Sequence, residues 1–72
     1  MKTEEKLIEI TESCKQDYIN RFNKENHVEN VLLVAEIQGT LAEKLKGISE
    51  KEEHSQLIKD LHKQFIDFST NY

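Results

Sequence analysis

The chain has no proline, two glycines and a single cysteine in its 72 residues. Without proline, nothing in the backbone forces a break in a helix. Cys14 has no second thiol to pair with inside the chain, which suits a reducing compartment and makes the cytoplasm the expected location. No run approaches the ~20 apolar residues of a membrane span. The opening Met1-Lys2-Thr3-Glu4-Glu5 lacks the apolar segment of a secretory signal. Basic segments are missing too. The formal charge is −4: residues 1–24 set five acids against five bases, residues 25–48 four against two, and residues 49–72 five against three. That balance leaves no footprint for a phosphate backbone or an anionic lipid surface, so neither nucleic acid nor membrane is an expected partner. Period-two alternation and Asn-Gly or Asp-Gly hairpin pairs are also missing, which excludes strands. There is no linker, repeat or low-complexity stretch, so residues 1–72 read as one helical domain.

What is present is a dense mixture: 36% hydrophobic and 33% charged residues. The chain is too polar for a generous core and too regularly patterned for disorder. A domain this small commonly gains buried surface by self-association, so a homodimer or larger helical-bundle oligomer is expected. Richness in Lys, Glu, Ile and Asn points to an AT-rich source, a low-GC bacterium or its phage.

Helix punctuation is readable. Asn26-His27-Val28-Glu29 and Ser49-Glu50-Lys51-Glu52 each place a capping residue three positions before a glutamate. Gly47 precedes the second of these and offers a left-handed helix end, with Lys44 and Lys46 in the preceding turn. Thr3, followed by Glu4 and Glu5, is a candidate first cap. The spacing predicts helices near 4–23, 27–46 and 50–69, joined by connectors short enough to make consecutive helices antiparallel. The fold expected is an all-α, antiparallel three-helix unit. The first helix gathers Leu7, Ile10, Cys14, Tyr18 and Phe22 on one side, and the third gathers Leu57, Ile58, Leu61, Phe65 and Phe68.

The middle helix is different. Val28, Val31, Leu32, Leu33, Val34, Ala35, Ile37, Leu41, Ala42 and Leu45 cover well over half of its circumference, so it should be covered on more than one side. Gln38 falls near the centre of that arc, where a buried amide needs partners and can fix register or oligomer state. Gly39 beside it costs ~1 kcal/mol relative to alanine in a helix interior and permits close helix approach. Glu29, Glu36 and Glu43 recur at seven-residue intervals along the polar side.

Chemistry finds little support. Glu50 and His54 stand at i and i+4, which can place two ligands together, but His27 and His62 do not complete a set of three or four, so no metal site is expected. Cys14 lies on an apolar stripe, where a thiol is ordinarily a small core residue. No Ser-His-Asp signature, glycine-rich phosphate loop or distinctive carboxylate pair is present, so no catalytic residue or cofactor is expected. A helix-turn-helix reading fails because the putative recognition helix opens with Glu50, Glu52 and Glu53. The function expected is a non-enzymatic protein–protein interaction module (adaptor, inhibitor or regulatory subunit) acting through a helical surface. Val31, Val34, Gln38, Leu41 and Leu45 are the candidate interface. One alternative is a phage or mobile-element inhibitor whose acids, Glu29, Glu36, Glu43, Glu50, Glu52 and Glu53, occupy a basic nucleic-acid-binding surface of a target. Another is a helical bundle that encloses a small ligand or metal.

Overall fold

Asn26 fixes the start of the central helix. Its Oδ1 accepts from the Glu29 amide at 3.1 Å, while its own N–H is taken by the Asn23 carbonyl at 3.0 Å, so the returning half of a capping box is not formed. In the computed structural model, which describes residues 2–72, the chain forms α1 (Thr3–Arg21), α2 (His27–Ile48) and α3 (Ser55–Asn71), with a 3-10 turn, Glu52–His54, leading into α3. No strand occurs among the described residues, and the all-α three-helix unit is the fold observed. Arg21 reaches Glu36 and Asn23 reaches Asn30, while Gln38 reaches His62 and Ser49 reaches His54, so residue numbers rise on one helix as they fall on the next. Lys15 and Tyr18 meet Phe68 and Tyr72 in the same order, which makes α1 and α3 parallel. The result is an up-down-up bundle of 40 × 18 × 18 Å.

The helix ends differ from expectation at several points, most of them with a local cause. Helix α1 begins at Thr3 itself, after Lys2, with no side-chain cap. It ends at Arg21 rather than 23 because buried Asn30 captures the backbone of Asn23. The Asn30 Nδ2 donates to the Asn23 carbonyl at 2.6 Å, and its Oδ1 accepts from the Asn23 N–H at 3.0 Å. Gly47 does not end α2. No described residue has a positive φ, and the helix runs on to Ile48. Ser49 then closes α2, its N–H bonding to the Leu45 carbonyl at 3.1 Å. Its Oγ accepts from the Lys51 N–H at 3.2 Å and sits 2.6 Å from Nδ1 of buried His54. With Ser49 drawn into that latch, no capping box forms with Glu52, and α3 starts at Ser55 rather than at 50.

Leu7, Cys14 and Tyr18 from α1, Leu33, Ile37, Leu41 and Leu45 from α2, and Leu61 and Phe65 from α3 form the buried core. Thr11, fully buried on α1, satisfies its hydroxyl by donating to the Leu7 carbonyl at 3.0 Å. At the opposite end from the Ser49 latch, Tyr18 packs with Phe22, Phe65, Phe68 and Tyr72 at centroid separations of 5.6 to 6.4 Å.

Two predictions follow from this packing. Ser49→Ala removes a buried hydroxyl from two partners and should destabilise the fold by about 1–2 kcal/mol in urea titration. The second concerns pH. Burial pushes the Cys14 thiol and the Tyr18 phenol above their ordinary values, with Tyr72 adding to the rise at Tyr18. The unfolded chain therefore releases these protons first. Stability is full below the unfolded thiol value of about 8.5 and should fall as pH rises through the folded values. Tyr18→Phe should flatten that alkaline decline, read from urea midpoints between about pH 8 and about pH 11.

Candidate partner-binding face

Helix α2 carries two apolar arcs, and the bundle covers only one. Asn30, Leu33, Ile37, Leu41 and Leu45 line the inward face. On the outside, Val28 is 69% exposed, Leu32 64% and Val31 54%. Ala35, Gly39 and Ala42 continue the same outer strip and are exposed as well. Written as a heptad, Leu32 and Gly39 occupy position a and Val28, Ala35 and Ala42 position d, the seam along which a second helix packs. A Cβ added at Gly39 would have nothing within 4 Å.

This placement revises the interface expected from the sequence. Leu41 and Leu45 are 0% exposed and belong to the intrachain core. Val34 is half-buried and packs against that core. Gln38 is also half-buried and pairs with the neighbouring helix: its Nε2 lies 2.8 Å from His62 Nδ1 on α3. Its Oε1 is buried with no partner. Of the five residues, Val31 alone is largely exposed. Val28, Leu32, Ala35, Gly39 and Ala42 belong to the open face instead. The broad apolar arc already contained the signal for a second surface. Periodicity alone could not say which half of the arc α1 and α3 would take.

The acidic residues divide into two groups. Glu29, Glu36 and Glu43 are exposed and run along one edge of the open strip, at heptad position e. This is the edge nearer α1, since Arg21 Nη2 lies 2.9 Å from Glu36 Oε2 and its Nη1 3.2 Å from Asp17. Glu29 and Glu43 make no ion pair among the described residues. Glu50, Glu52 and Glu53 lie apart, around the α2–α3 connector.

That connector brings Ser49, His54 and Glu53 together in the order hydroxyl, imidazole, carboxylate. The Glu53 Oε2 is 3.6 Å from His54 Nε2. Ser49 Oγ is nevertheless buried and occupied by the Lys51 amide, while Glu53 projects into solvent. A nucleophile needs open approach to an electrophile and donors beside it; this trio is built to close a turn. No three His, Cys, Asp or Glu side chains converge on a metal position among the described residues. No helix among them is long and apolar enough to cross a membrane. Near the aromatic end, Tyr18, Phe22, Val31, Val34, Ser69 and Tyr72 line a cleft of about 450 Å³, with Lys24 and His27 beside it. Val31 is thus shared between this cleft and the open strip.

No protein-family model matches the chain, and no curated protein or solved structure is significantly similar to it.

The two arcs of α2 should respond oppositely to one kind of substitution. Leu41→Asp puts a carboxylate in the core and should unfold the chain, seen as loss of helical circular dichroism. Leu32→Asp should keep the spectrum and shift stability by no more than about 0.5 kcal/mol.

Proposed function

We propose that this chain is a non-enzymatic interaction module that binds another protein through the outer face of α2. One observation carries this reading: a strip of apolar and small residues, from Val28 to Ala42, lies uncovered on a helix whose opposite face is fully packed. Three large exposed apolar side chains within five positions, Val28, Val31 and Leu32, form a contiguous patch of the sort that interfaces use. Aliphatic contact with the strip would supply most of the affinity, and the glutamate edge would steer approach and orientation. The single buried thiol fits operation in a reducing compartment such as the cytoplasm.

The alternative of an acidic inhibitor that occupies a basic nucleic-acid-binding surface draws on the same glutamates. It differs in what drives binding. A surface that imitates phosphate spacing would lose nearly all its affinity in high salt, whereas the apolar strip would retain much of it. The strip lies beside the glutamates from Val28 to Glu43, and this favours the interaction module.

Photo-crosslinking tests the proposal. A photoreactive residue at Val28, Leu32 or Ala35 should trap a discrete partner in cells that express the chain. The same residue at Glu9 on α1 or Lys63 on α3, both exposed, should trap none. Equal crosslinking from all five positions, or a discrete product only from α1 or α3, would overturn the assignment of the face.

A further inference from the structure

We infer that the occupant of the α2 outer face is a single amphipathic helix with a cationic flank, supplied by a different protein and not by a second copy of this chain. This deepens the function proposed above and rests on it. Two features of the face define the occupant, its shape and its charge.

Shape comes first. The strip narrows along the helix: Val28, Val31 and Leu32 stand proud at its start, and Ala35, Gly39 and Ala42 leave it nearly flat beyond. Gly39 lies in the interior of α2 with ordinary helical backbone. It therefore needs no conformation that alanine lacks, and no neighbour in the chain comes near its missing Cβ. Intrachain packing gives it no purpose. In a helix interior it is a standing cost, which close approach of another backbone would offset. A partner helix with bulky side chains opposite the flat half fits this surface.

Charge separates the two kinds of partner. In an antiparallel pair of identical helices, the e edge of one faces the e edge of the other, whatever heptad register is chosen. Here that edge is Glu29, Glu36 and Glu43, so self-pairing sets glutamate against glutamate. Of these, Glu36 is neutralised within its own chain by Arg21. In a parallel pair, the e edge would face position g of the copy, which holds Val31, Gln38 and Leu45 and no cation. Lys46 continues position a beyond Gly39 and lies at the seam's end, near the C-terminus of α2. Neither orientation gives Glu29 and Glu43 an opposite charge from a copy's seam edges. A foreign helix with Lys or Arg along its facing edge does so in both positions at once.

The test uses two designed helical peptides of about three heptads, identical in a leucine seam. One carries lysine on its flanks and the other glutamate. Binding to the full chain is followed by fluorescence anisotropy, and light scattering across a concentration series reports self-association. The lysine peptide should bind about tenfold or more tightly than the glutamate peptide, and the preference should shrink as salt rises. The double variant Glu29→Lys, Glu43→Lys should reverse it. Ala35→Arg should abolish binding of the lysine peptide with helical content unchanged, because position 35 is exposed. Gly39→Ala should raise Tm by roughly 4–8 °C and yet weaken the lysine peptide about fivefold or more. The chain alone should remain a monomer.

Equal affinity for the two peptides would overturn the cationic flank. A dimer that Ala35→Arg dissociates would put a second copy on the face, overturning this occupant while leaving the interaction face standing. Lysine-peptide binding that survives Ala35→Arg would place the contact elsewhere and overturn both readings.

Discussion

Three helices packed together have a shared core but no interior member. Each sits at a corner, with inward faces meeting at axis separations of 8–10 Å and an outward face that neither neighbour can reach. Helices α1 and α3 fit that geometry, each with one principal apolar face. Helix α2 does not, because its apolar residues extend around to the side that points away from both partners. Uncovered apolar surface on α2 is therefore a consequence of the helix count. No adjustment of rotamers within the bundle can remove it.

Rotation of α2 about its own axis is the obvious escape, and it is blocked at both ends. In the first turns, Asn30 is buried with its amide committed to both backbone groups of Asn23. After the last turn, Ser49 is tied to Leu45, Lys51 and His54. Turning α2 to hide Val31 and Leu32 would expose Ile37 and Leu41 and leave Asn30 without partners, a larger loss than the apolar gain. With nine buried hydrophobic side chains making up the core among the described residues, these polar latches bear much of the burden of holding a single arrangement.

The helical fold was legible because the signal is repeated. The apolar stripes of α1 and α3, the Asn26 cap and the short first connector all point the same way. The connector before α3 was not, since Ser49 has the spacing of an N-cap and is used to close the preceding helix. Its choice depends on His54, and nothing local announces that contact. The open face of α2 was half legible for a related reason. Width of the arc on α2 showed that two surfaces must exist, but Leu41 and Leu32 look equally apolar in sequence. Which one faces inward is settled by Asn30 and by the packing of Tyr18, Leu61 and Phe65, all of them tertiary facts.

Two neighbouring residues in the middle of α2 break the usual rules of helix interiors, and they do so for different reasons. Gln38 leaves one amide atom buried and unpaired, but its other atom engages His62 and so discourages α2 from slipping along α3. That cost is tied to the specificity of the fold, much as a polar residue fixes register in a coiled-coil seam. Gly39 engages nothing. Its backbone is ordinary and its surroundings are empty, so the folded chain is less stable for having it and no more specific. That mid-helix cost without a return inside the molecule is what supports the proposed helical partner, which the missing side chain would let come close. The open apolar strip alone would suit many partners. Combined with Gly39 and an acidic edge in the same heptad frame, it describes one kind: a helix with bulky apolar knobs and positive charge along the side that meets Glu29 and Glu43.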